Sequence, residues 1–127
     1  MLSPIPRRIL KDTAIFTIPI SFDRYQKPVN VETYTVTGVH VQADNSTHKT
    51  AGNTEVVLRG VLFIDARHSA PCLDYEALQE KAQKAGGVMT CRIQSRRGSM
   101  SGPFTVLVID ALPDEEDNLH HYELGLV

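Results

Sequence analysis

The sequence predicts a mainly β fold: a small antiparallel β-barrel or rolled sheet of about six strands, with one α-helix at about residues 74–85. Three observations predict it. Six short segments rich in β-branched and aromatic residues are spread between Thr13 and Val127. A single stretch has helical spacing, and the segments near the end are joined by links of hairpin length. A chain of 127 residues fits one domain. It divides into an extended basic arm over residues 1–12 and a single β-barrel domain over 13–127.

The arm holds Pro4 and Pro6 with the cations Arg7, Arg8 and Lys11. The prolines favour extended backbone and remove amide donors, which places the arm outside the core. The first strand is predicted over 13–20, ending where Pro19 interrupts a ladder. In the second, over 31–43, the alternation changes phase: Tyr34 and Val36 precede Gly38, Val39 and Val41 follow it. A side-chain period of two cannot switch faces without an extra residue, so Gly38 marks a bulge. Residues 42–55 carry no large apolar side chain and read as a long, polar, mobile loop.

Val56 to Asp65 is the strongest strand and is expected near the centre of the sheet. Asp74 caps a helix whose Leu78, Ala82 and Ala85 form an i, i+4, i+7 stripe, stopping at Gly86-Gly87. Val88 to Ile93 returns to strand character, and Gln94 to Gly102 is a polar loop bearing Arg96 and Arg97. Pro103 opens the strand Phe104 to Ile109. The segments Val61-Leu-Phe-Ile-Asp-Ala66 and Val106-Leu-Val-Ile-Asp-Ala111 echo each other, and both are read as central strands ending on capping aspartates. After the acidic turn Pro113-Asp-Glu-Glu-Asp-Asn118, Leu119 to Val127 is expected to be a paired closing strand, because a free apolar end would fray.

Composition and motifs exclude more functions than they support. A net charge of −2 gives no global argument for nucleic acid, and the longest uncharged apolar runs, about eight residues, fall short of the roughly 20 that cross a bilayer. The start lacks the basic-then-apolar order of a signal peptide, so synthesis in the cytoplasm and no membrane partner are expected. Cys72 and Cys91 are expected to be reduced thiols, without the paired spacing of a zinc site. Five histidines, at 40, 48, 68, 120 and 121, invite a metal reading. His120 and His121, adjacent in a strand, are expected to face opposite sides and not to share an ion, while His121 and Glu123 share a face without an evident third ligand. No metal or other cofactor is therefore expected. Ser69 beside His68 sits in no nucleophile elbow, Gly98-Ser-Met-Ser-Gly102 lacks the required register, and no phosphate loop is present. The chain is not expected to be an enzyme. Lys49, Arg96 and Arg97 lie in loops, but the few aromatics fall at positions a core would claim, so single-strand binding on the sheet face is disfavoured.

Three segments resemble the minor capsid, or head-closure (stopper), connector proteins of tailed bacteriophages. They are Pro4-Ile-Pro-Arg-Arg-Ile-Leu-Lys-Asp-Thr13, Val61-Leu-Phe-Ile-Asp-Ala-Arg-His-Ser-Ala-Pro71 and the closing Leu119-His-His-Tyr-Glu-Leu124. Phe104-Thr-Val106 stands where the family has a tyrosine-threonine-isoleucine type of pair. The resemblance implies a virion protein at the head–tail interface, made in the bacterial cytoplasm. It would form a homo-oligomeric ring below the portal or adaptor proteins, close the DNA channel and offer the docking surface for tail proteins. Packaged double-stranded DNA would be met in the channel without sequence preference.

On that implication the 42–55 loop is a candidate gate with Thr47, His48, Lys49 and Thr50 at its tip. Arg7, Arg8 and Lys11 on the arm and Asp114, Glu115, Glu116 and Asp117 in the acidic turn are the candidate contacts between rings or subunits. Two readings of other kinds stay open: a tail terminator or adaptor-type connector, and a stand-alone nucleic-acid-binding small β-barrel.

Overall fold

The computed structural model describes residues 4–6, 8–43, 47–49, 55–71 and 73–127, with the backbone alone at 47–49 and 55–57. The order of elements is β1 (Asp12–Phe22), β2 (Pro28–Ala43), β3 (Thr47–Lys49), β4 (Glu55–Val57), β5 (Gly60–Asp65), α1 (Tyr75–Lys84), β6 (Thr90–Gln94), β7 (Met100–Pro113) and β8 (Leu119–Leu126). Six strands form one antiparallel sheet in the order β1-β2-β5-β8-β7-β6, and β6 pairs back onto β1, so the sheet closes on itself. β3 and β4 pair only with each other among the described residues. The mainly β fold with one short helix is as the sequence predicts.

Two long strands turn the corners. β2 pairs with β1 through its first part and with β5 from Val39 to Ala43. β7 pairs with β6 up to Thr105 and with β8 from Val106 onward. A strand that changes partner must bend, and β-bulges supply the bend. In β2 the bulge is at Gly38: Thr13 stands opposite Thr37 and Asp12 opposite Val39, which skips Gly38. Its φ of +71° is left-handed, and both Val36 and Val39 reach the core across it. The phase change in the sequence marks this position correctly.

The core is the interior of the closed sheet, with Phe16, Ile18, Val36, Leu62, Met89 and Leu124 fully buried. α1 lies across it with Tyr75 buried, its ring 5.2 Å from Phe16 and 4.9 Å from Tyr122. The helix begins where Asp74 accepts a hydrogen bond from the Ala77 amide and ends at Ala85, ahead of Gly86 at φ +88°. Gln79 Nε2 donates to the carbonyls of Val106 and Leu107, both at 3.2 Å, which ties the helix to the β7 corner.

Several sequence expectations need correction. β1 runs through Pro19 to Phe22, because Ile20 is bulged out of the β1–β2 register there and β6 flanks β1 only from Thr13 to Thr17. Pro19 therefore owes no amide to a neighbour on that side. The 56–65 strand is two elements: Leu58 turns inward to 1% exposure and the Arg59 amide bonds the Leu126 carbonyl, which separates β4 from β5. The 42–55 segment is not a single loop, since Gln42 and Ala43 end β2, Thr47–Lys49 form β3 and Glu55 opens β4. β7 starts at Met100 rather than at Pro103, leaving only Ser95–Ser99 as a tight turn, and Asp110 lies within β7 opposite Glu123 rather than capping a strand end. The closing strand is paired to its end, where Val127 and Thr105 exchange two backbone hydrogen bonds of 3.0 Å.

Gly38 gives a direct test of the corner. A Cβ there would stand 2.9 Å from the His68 carbonyl oxygen, and the backbone is left-handed besides. Gly38→Ala is expected to lower stability by about 2 kcal/mol in urea denaturation; a loss below about 0.5 kcal/mol would mean that the bulge is not fixed by this packing.

Candidate functional site

The residues after β5 form a knot that no motif announces. Asp65 is 2% exposed at the end of that strand. One of its carboxylate oxygens accepts from the amides of Arg67 at 2.9 Å and His68 at 2.8 Å, and the other accepts from the amide of Ile5 at 2.9 Å. His68 Nδ1 lies 2.8 Å from the Ile5 carbonyl, which can only accept, so the proton is on Nδ1. The arm is thus gripped at both backbone groups of one residue. Ser69 Oγ accepts from the Asp65 amide at 2.9 Å and donates to the Gly38 carbonyl, while Ala70 and Thr37 exchange two backbone bonds. Burial pushes the Asp65 pKa up, but the three amide donors, with His68 nearby, outweigh it and hold the carboxyl below its ordinary value.

The arm therefore does not stand outside the core, as the sequence reading had it. Leu10 is buried, and Ile5 and Ile9 line a cavity of about 330 Å³ together with His40, Gln42, Phe63 and His121. The two prolines exclude a ladder, yet single amides and apolar contacts still dock the segment. Arg8 is exposed in a turn, and Arg7 lies outside the described residues.

Beside this cavity the histidines are arranged differently from the alternation rule. His120 and His121 bring their Nδ1 atoms to 2.8 Å, with ring centres 5.1 Å apart. The cause is a further bulge: Leu112 stands opposite His121 and Pro113 opposite Leu119, so His120 is the extra residue and the two-sided alternation fails there. His121 Nε2 also meets Glu123 Oε2 at 3.0 Å, and its ring stacks 6.3 Å from Phe63, itself 6.0 Å from His40. Among the described residues no group of three or more histidine, cysteine or acidic side chains is placed to hold a metal ion. Cys91 is a free, buried thiol whose pKa burial pushes up to about 12, which makes it a core residue rather than a nucleophile. Cys72 lies outside the described residues.

Two charged surfaces lie at the ends of β7. At its start, Lys11, Asp12, Ser95, Arg96 and Arg97 line a groove of about 590 Å³, which joins the base of the arm to the β6–β7 turn. At its end is the acidic turn 114–117, where Asp114 Oδ1 accepts from the amides of Glu116 at 2.8 Å and Asn118 at 3.1 Å. The Glu116 amide is the largest cause holding the Asp114 carboxyl below its usual value, and Arg67 lies close enough to add to the effect. Of the candidate gate residues, Thr47, His48 and Lys49 form β3, with His48 opposite Val56, while Thr50 lies outside the described residues. The structure brings Lys11 beside Arg96 and Arg97, residues that no local pattern joins, and β7 runs from that group to the acidic turn. No helix among the described residues is long and apolar enough to cross a membrane.

The knot generates a pH prediction. Because the folded pKa of Asp65 is depressed, its contribution is present above the unfolded value and is lost as pH falls through the folded one. Stability is expected to drop below about pH 4, and Asp65→Asn is expected to cost about 2–4 kcal/mol at pH 7 and to flatten that acid limb. Urea denaturation at pH 7 and pH 3 measures both; an unchanged acid limb would remove the role assigned to the carboxylate. In comparisons with known proteins, no family model, no curated protein and no solved structure matches this chain.

Proposed function

We propose that the protein is a structural component of the head-to-tail connector of a tailed bacteriophage, a ring subunit below the portal or adaptor that closes the DNA channel and receives the tail. The single observation that carries the reading is topological. At the pair Ala43–Gly60 the β2–β5 ladder stops, and the chain between them carries the β3–β4 pair, a second two-stranded sheet. A closed sheet that carries a hairpin of its own at one rim is suited to a ring whose wall is rigid and whose channel is obstructed by that hairpin. The three resembling segments support the same reading: one is the docked arm, one contains the Asp65 knot and one is β8.

A second reading rests on the basic groove. Lys11, Arg96 and Arg97 converge on one concave surface, which suits a phosphate backbone. The tail terminator or adaptor roles differ from the first reading in which surface faces the channel and share its ring geometry.

Purified protein mixed with portal-bearing heads and viewed by electron microscopy tests these directly. Ring-shaped density at the portal vertex is expected; a monomer that binds oligonucleotides and leaves the vertex bare would sink the connector reading. Replacing residues 44–57 with Asn-Gly is expected to preserve folding and to let packaged DNA escape from completed heads, and full DNA retention would remove the gate.

A further inference from the structure

The turns at the two ends of β7 have the same construction and opposite charge. In Ser95–Ser99 the first amide donates to the fifth carbonyl at 2.8 Å and the fourth amide to the first carbonyl at 2.9 Å. In Asp114–Asn118 the same bonds are 2.8 and 3.2 Å. The first side chain accepts from the fifth amide in both, Ser95 Oγ at 3.2 Å and Asp114 Oδ1 at 3.1 Å. The fourth residue is left-handed in both, Gly98 at φ +90° and Asp117 at +63°. What differs is the tip: Arg96-Arg97 in one, Glu115-Glu116 in the other.

Each turn is thus a fixed knob presenting two adjacent like charges. The basic one has a concave flank, because Lys11 and Asp12 close the groove beside it. Among the described residues no ion pair involves Lys11, Arg96 or Arg97. The 14 residues of β7 run between the two turns, on the order of 40 Å of strand path, so they are two distinct surfaces of the copy.

We propose that the acidic turn of one copy docks in the basic groove of the next. The contact is heterologous, uses a different surface on each partner, and on repetition closes a ring or runs on as a filament. Glu115 and Glu116 meet Arg96, Arg97 and Lys11, and the groove has room for two adjacent carboxylate side chains. This deepens the ring reading above and rests on it for closure, while the pairing itself does not need a phage head. Exposed ion pairs are individually weak, so the contact depends on several at once and is screened by salt.

Charge exchange tests the pairing. Sedimentation velocity at low salt is expected to show self-association of the native chain that disappears in high salt. R96E/R97E and E115R/E116R are each expected to weaken it about ten-fold or more, to associate with one another when mixed, and, when combined in one chain, to restore self-association. A native chain that stays monomeric, or a combined variant that does not recover, would overturn the proposal. So would R96E/R97E that loses only duplex-oligonucleotide binding, since the groove would then be a nucleic-acid surface. The ring reading fails separately: rings formed on portal-bearing heads by the reversed variants would sink this contact and leave that reading standing, whereas charge-dependent association of a chain that ignores heads would do the opposite.

Discussion

A carboxylate removed from water is costly unless its oxygens are satisfied, and those of Asp65 are satisfied from two places in the chain, while its backbone amide links it through Ser69 to a third. Its own turn supplies the Arg67 and His68 amides, the arm supplies the Ile5 amide, and through Ser69 the turn reaches the Gly38 carbonyl on β2. Removing any member leaves a buried donor or acceptor unpaired, which costs more than the bond itself was worth. The knot thereby fixes the bulge at which β2 changes partner, and the bulge fixes which faces of β2 are buried. The same few bonds hold Ile5 of the arm, which lines the cavity at His40 and His121.

The two corner strands divide the labour. β2 is tied at its bend by the Asp65 turn, and β7 is tied near its bend by Gln79 of α1. With both corners held, the strand ends become stable platforms: the β3–β4 pair beyond β2, the basic and acidic turns at the two ends of β7. Here the bonds within the turns are supplied by Ser95 and Asp114 themselves, which fixes the backbone of both charged tips.

Much of this was legible from residues with one strong local reason. Asp74 and Gly86-Gly87 bound a helix because capping and a left-handed exit are local chemistry, and Gly38 announced a bulge because alternation cannot otherwise change phase. The misreadings share a cause: the deciding neighbour is distant in sequence. Pro19 stays in a strand because β6 ends too soon to need its amide, Leu58 leaves its strand because the closed core has a place for it beside Gly125, and His120 leaves the alternation because Leu119 pairs with Pro113. Asp65 read as a strand cap, which it is; its hold on Ile5, 60 residues away, had no local signal. Nor did the meeting of Lys11 with Arg96 and Arg97, which depends on β1 lying beside β6.

Through the bonds of Asp65 and Ser69, the arm, the Asp65 turn and the β2 bulge form one unit with the closed sheet. Amide hydrogen exchange of the native protein measures this most directly. The Ile5, Arg67 and His68 amides are expected to exchange only with global unfolding, at the protection of the Leu62 and Ile64 amides in β5. Rapid exchange of Ile5 and His68 beside a fully protected β5 would contradict it.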